Sequence, residues 1–216
     1  MTKVKIAIQG ELGAYSHIAV ENLFKNVEIK NCSTFEETFK QAYNDTSYRI
    51  VIPIENSLAG RVADIHYLLP KYKLQIHGEY FLNVEHNLLC KPEANLDDIK
   101  FVRSHAQAIG QCQNIINKKK FKPIISADTA GSAKELAEGD DKSIAAIASN
   151  LSAKIYKLKI LEKNIEDEKG NVTRFLIMGK NIEQPELVNG KKFITSCIFR
   201  VKSEPSALYK CLGGFA

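Results

Sequence analysis

One alternation constrains the fold more than any other feature. Aliphatic, β-branched runs at 4–9, 27–32, 49–54, 99–102, 123–127 and 143–148 each lead into a helical pattern, at 17–24, 34–43, 62–69, 106–117, 130–138 and 151–158. Strand and helix in succession specify an α/β protein with mostly parallel sheets, because a parallel pair needs a crossover and the helix supplies it. The C-terminal ends of such strands share one edge, where ligands are held. Candidates for function therefore sit at the strand-to-helix junctions: Asn56 and Ser57, Ser104 with His105, Thr129 after Asp128, and Ser149 with Asn150. Taken singly, each of these polar residues reads as a helix cap. Taken together, they line a cleft with uncharged donors and almost no titrating acids, which suits a compact carboxylate anion and does not suit metal chemistry or a carboxylate dyad.

The stretch 74–90 is too long for one connecting strand and reads as extended chain passing from one lobe into a second, with Gly78 near the crossing. Lobe 1 then comprises about 1–76 plus 165–182, and lobe 2 about 77–164. With 216 residues and 44% hydrophobic composition, the chain can bury a core in each. Pro53 is expected to cut its strand short, and Ser33-x-x-Glu36 is expected to box the helix that follows. Gly10-x-x-Gly13 precedes a helix as an anion cradle would, but tight-turn glycines explain it better. His77 and His86 have no second ligand at metal spacing and read as structural histidines.

The polar run 164–171 ends abruptly in Val172-Thr173-Arg174-Phe175-Leu176-Ile177-Met178, a buried strand. Period-two alternation puts Thr173 and Phe175 on one face and Arg174 on the other. Arg174 then either pairs a carboxylate or braces the hinge; the residues alone leave this open.

Several classes are excluded. The net charge of +5 is spread along the chain, and Lys118-Lys119-Lys120 reads as a solvated helix end, so no nucleic-acid surface is expected. No apolar run spans a bilayer and no signal segment opens the chain. Five scattered cysteines without a C-x-x-C pair argue for a reducing compartment. A cytoplasmic protein is expected.

The ordered motifs Gly10-x-x-Gly13-Ala14-Tyr15-Ser16-His17, Pro53-Ile54-Glu55-Asn56-Ser57, Ser104-His105-Ala106-Gln107-Ala108, Asp128-Thr129-Ala130 and Asn171-Val172-Thr173-Arg174-Phe175 resemble those of the prephenate dehydratases. The resemblance covers about 4–180. Glu11 and Ala106 stand where proline is common in that family. It implies a two-lobed catalytic domain of periplasmic-binding-protein type (type II), over 1–182, with its site between the lobes and no cofactor or metal. The activity implied is conversion of prephenate to phenylpyruvate, water and carbon dioxide, on the way to phenylalanine. Arogenate as substrate is the nearer alternative, and a non-catalytic anion-binding module of the same fold is the other. The catalytic residues implied are Thr173, Arg174 and Phe175; Asn56, Ser57, Ser104, His105, Gln107 and Thr129 are implied to bind substrate. Segment 190–216 resembles the start of an ACT regulatory domain (ferredoxin-like α+β), with a strand over 192–202. That segment is expected to be incomplete, with its phenylalanine effector site and feedback inhibition lost. A homo-oligomer is expected.

Overall fold

The computed structural model describes residues 3–181, 188–190, 192–195, 197 and 199–215. The chain divides into two compact units, Met1–Glu183 and Gln184–Ala216. In the first, β1 (Val4–Gln9), α1 (Tyr15–Leu23), β2 (Val27–Cys32), α2 (Phe35–Asn44), β3 (Tyr48–Asn56), the short β4 (Gly60–Arg61), α3 (Ala63–Tyr72) and β5 (Gln75–Asn83) build one lobe. The second lobe holds β6 (Asn87–Cys90), β7 (Phe101–His105), α4 (Ala106–Gly110), α5 (Gln113–Lys119), β8 (Lys122–Ser126), α6 (Thr129–Glu138), β9 (Ile144–Ala148), α7 (Asn150–Ile155) and β10 (Lys159–Glu162). The chain then returns to the first lobe as β11 (Val172–Gly179).

Each lobe is one sheet, in the order β2-β1-β3-β11-β5 in the first and β10-β6-β9-β7-β8 in the second. Three strands in each are parallel, as the alternation predicts. The remaining main strands are antiparallel, so the sheets are mixed rather than mostly parallel. The reason is the double crossing: strands leaving or re-entering a lobe run back beside the parallel set. β10 was not anticipated; it is four residues long and takes its place by pairing with β6.

The crossing also lies later than expected. β5 pairs with β11 as far as Asn83 opposite Val172, so Gly78 sits inside a strand and the lobes are linked by 84–86 and 163–171. Pro53 does not end β3, which continues to Asn56. A register shift between Arg174 and Phe175 faces this position, where proline has no N–H to give the ladder. The cap of α2 is displaced by one residue from the expected box. Thr34 Oγ1 accepts from Glu37 N, while Ser33 donates both N–H and O–H to the Glu37 carboxylate.

Apolar layers form on both faces of each sheet. Ile50 and Ile52 pack with Phe39 and Ile65 on one side of the first, while Val51, Phe175 and Ile177 pack with Ala19 and Val20 on the other. Leu88 and Ile147, and Leu89 with Ala146, do the same in the second. Each fully buried aliphatic side chain stabilises its lobe by roughly 1.5–3 kcal/mol. Among the described residues no helix is long and apolar enough to cross a membrane.

The second unit carries α8 (Ala207–Gly213). Its described residues between 192 and 202 form no strand, contrary to expectation. A strand forms only where a neighbour takes up its N–H and C=O groups, and among the described residues these pair with none.

Candidate active site

β11 begins where β3 ends, so Thr173 lies opposite Asn56 at the C-terminal edge of the parallel strands. Thr173 is 9% exposed. The Asn56 side chain is fixed by its own turn, since Leu58 N and Ala59 N donate to its Oδ1 at 3.0 and 2.9 Å. Its Nδ2 must therefore face the other way, and it donates to Thr173 Oγ1 (2.9 Å) and Asn171 Oδ1 (2.7 Å). With that oxygen used, Asn171 donates from Nδ2 to Gln111 Oε1 at 3.0 Å. Beyond Gln111 lie His86 Nε2 at 2.8 Å and then Tyr15, whose hydroxyl is 2.8 Å from His86 Nδ1.

This chain has a direction. Two backbone amides orient Asn56, and Asn56 orients Asn171 and Gln111 in turn. Thr173 Oγ1 accepts from Asn56, and among the described residues nothing accepts its proton. The arrangement thus leaves one buried hydroxyl proton available to a ligand.

Ser57 sits beside the network and closes the edge, donating to Gly170 O (2.8 Å) and accepting from Val172 N (2.9 Å). The hinge is bonded on both strands: Val84 N donates to Asn171 O, Ile165 N to His86 O, and His86 N to the Glu166 carboxylate. Gln111 enters the network because the expected helix 106–117 is broken into α4 and α5. Asp167 holds that break, donating its N–H to Gln111 O and accepting from Gln113 N and Asn114 N.

Arg174 lies on the opposite face. It binds Glu79 through Nε (2.7 Å) and Glu55 through a terminal nitrogen (3.0 Å), with its guanidinium 5.9 Å from the centre of the Phe81 ring. The bond to Glu55, then that to Glu79, raises its pKa further and keeps it a fixed cation. Phe175 is 1% exposed and enclosed by lobe 1 core residues rather than open to a ligand.

The lobe 2 candidates are more scattered. Ser104 is fully buried and donates to Ile147 O at 2.7 Å, so its hydroxyl serves the sheet. His105 Nδ1 accepts from Gln107 N at the start of α4. Gln107 is exposed, and Thr129 is half-buried in the first turn of α6, which Asp128 caps through Gly131 N. The structure therefore joins Asn56 and Thr173 directly, places Ser57 beside them at the strand edge, and leaves the others outside the network.

The lobes also touch through the first loop. Gly13 O accepts from Ser149 Oγ (2.6 Å) and Ser152 Oγ (3.0 Å), and Gly13 N donates to His17 Nδ1 (2.9 Å). Tyr156 Oη donates to Leu12 O, and Lys134 pairs with Glu11. The junction hydroxyls at the start of α7 thus grip a glycine carbonyl of the other lobe. Among the described residues no group of three or more His, Cys, Asp or Glu could hold a metal ion.

A model of the prephenate dehydratase family matches residues 6–183. The chain belongs to that family. It is 40% identical to a bifunctional N-acyl-homoserine lactone acylase/prephenate dehydratase of Komagataeibacter europaeus, over 98% of this chain and 75% of that one. It is 39% identical to an arogenate dehydratase/prephenate dehydratase of Arabidopsis thaliana, over all of this chain and 56% of the plant protein. It therefore spans little more than half the length of that plant relative. A solved prephenate dehydratase of Staphylococcus aureus superposes with a TM-score of 0.77 at 25% identity, covering 98% of this chain and 78% of its own. The two-lobed mixed α/β fold is that of prephenate dehydratases.

Sequence reasoning about dehydratase chemistry missed Gln111, Asn171, His86 and Tyr15 as members of one network. Asn171 and Tyr15 lie inside the family motifs. For Gln111 the local signal was Gly110, which interrupts a helical pattern.

Proposed function

We propose that the chain converts prephenate to phenylpyruvate, with the Thr173 hydroxyl as donor to the departing ring hydroxyl. The observation that carries this reading is the unclaimed proton on Thr173 beside a network that fixes its oxygen as acceptor. A threonine hydroxyl does not ionise near neutrality, so it acts as a positioned donor rather than a titrating acid. As the ring C–O bond breaks, the bond to the ring carboxylate breaks with it. Its electron pair enters the ring, carbon dioxide departs, and the leaving hydroxide takes a proton supplied ultimately by solvent to become water. Aromatisation drives the reaction. A preorganised donor of this kind supplies about 3 kcal/mol of the barrier.

In this reading Asn56 holds Thr173, and Ser57 keeps the edge of β3 closed against the return strand. Gln107, Thr129 and His105 remain candidates for the substrate's carboxylates and pyruvyl oxygen. Ser104 and Phe175 support the site from within their lobes. Arg174 braces β11 between Glu55 and Glu79 and acts through position rather than contact.

The test is turnover by purified protein with prephenate and arogenate side by side, reading phenylpyruvate from the first and phenylalanine from the second. Faster turnover of prephenate supports the proposal. Preference for arogenate, on which the plant relative's name bears, selects the second reading. Binding of either without turnover leaves a non-catalytic module.

A further inference from the structure

The network below Thr173 ends at a buried histidine whose protonated nitrogen the rest of the chain dictates. Gln111 Oε1 is an acceptor, because Asn171 Nδ2 donates to it and Asn171 cannot turn over. Turning Asn171 would bring its NH2 against the NH2 of Asn56, and the Asn56 oxygen is held by two backbone amides. His86 Nε2 lies 2.8 Å from that same Gln111 oxygen. A bare Nε2 there would set two acceptors against each other, in a residue only 2% exposed, where water cannot intervene. On the far side of the ring a bare Nδ1 then takes the single Tyr15 proton: the hydroxyl lies 2.8 Å from both His86 Nδ1 and Glu85 O, and it turns from the carbonyl to the ring. The His86 main chain is held as well, through Glu166 and Ile165.

We propose that His86 is a positioning residue for the dehydration step: its Nε2–H, aimed at Gln111, pins the amide chain in the one orientation that leaves the Thr173 hydroxyl free to donate. The role rests on the dehydratase reading of Thr173, while the proton's place on His86 does not. Burial lowers the pKa of His86, against the opposing effects of Gln111 and Glu166, which keeps the neutral form in the folded protein. His86 touches no substrate; it acts through Gln111, Asn171 and Asn56.

Two substitutions separate this role from simple packing. His86→Gln places an amide NH2 where Nε2–H was, and His86→Asn is shorter, reaching only toward Tyr15. His86→Asn is expected to lower kcat roughly tenfold, about the value of one lost hydrogen bond, with KM within about twofold. His86→Gln is expected to recover most of that loss. Equal kcat in the two variants, or a loss confined to KM, overturns the proposal. An independent reading comes from nitrogen-15 NMR of histidine-labelled protein without substrate. Neutral His86 is expected to carry its proton on Nε2, and a proton on Nδ1 overturns the proposal whatever the enzyme turns over. A wild-type protein inert to both substrates, with the proton on Nε2, removes the catalytic role and leaves the network intact.

Discussion

Gly13→Ala tests how far the two lobes depend on one close approach. Gly13 has φ +91°, and a Cβ built there comes 2.5 Å from Ser152 Oγ, 2.8 Å from Ser152 Cα and 3.1 Å from Ser152 Cβ. The nearest obstacles include backbone, so a rotamer change at Ser152 does not relieve the clash. The backbone conformation alone costs an alanine about 1–2 kcal/mol. Separation also breaks the bonds from Ser149 Oγ and Ser152 Oγ to Gly13 O, at about 0.5–1.5 kcal/mol each. The total is about 2–5 kcal/mol. The part held in these two bonds, about 1–3 kcal/mol, is lost by opening the lobes rather than by unfolding either. The assay is therefore double: kcat/KM should fall roughly 5- to 150-fold, while small-angle scattering shows a larger radius of gyration for the substrate-free protein. Ser152→Gly in the Gly13→Ala background should recover only part of the loss, because the new methyl still meets the main chain of residue 152. Wild-type kcat/KM with unchanged scattering would refute the reasoning.

Thr173→Ala should lower kcat on the order of 10²–10³-fold with KM nearly unchanged, and Thr173→Ser should keep part of the activity, in steady-state kinetics. Arg174→Leu strands Glu55 and Glu79 beside each other; since the side chain is 26% exposed, denaturant titration should show a loss of only about 1–2 kcal/mol. Burial lowers the pKa of both His17 and His86 from the ordinary histidine value, so the unfolded chain binds more protons. Their contribution is complete above about pH 6.5 and is lost as pH falls through the depressed folded values. Tm should fall on acidification from neutrality, more gently in His17→Gln, where Gly13 N–H can keep an acceptor.

The strand–helix alternation, the two lobes and the place of Thr173 at a strand edge were legible because each is written in local periodicity. The role of Arg174 was not, because Glu55 and Glu79 reach it from β3 and β5, strands far away in sequence. Gly10-x-x-Gly13 read as turn glycines or an anion cradle, but the residue that matters to Gly13 is Ser152, in the other lobe. Gln111 was hidden inside a plausible helix, since the break that frees it is made by Asp167. The Pro53 expectation failed for a related reason: a proline ends a strand only if its neighbour demands an N–H, and β11 shifts register there instead.

The turn after β3 holds a further consequence. Leu58 and Ala59 lie on the surface, yet their two amides decide which way a whole row of side-chain amides points. Ala59→Pro, which deletes one of those amides, would leave Leu58 N–H as the single backbone donor holding the Asn56 oxygen and so loosen that row. The site would then be dulled from its outer skin, with every side chain of the network still chemically present.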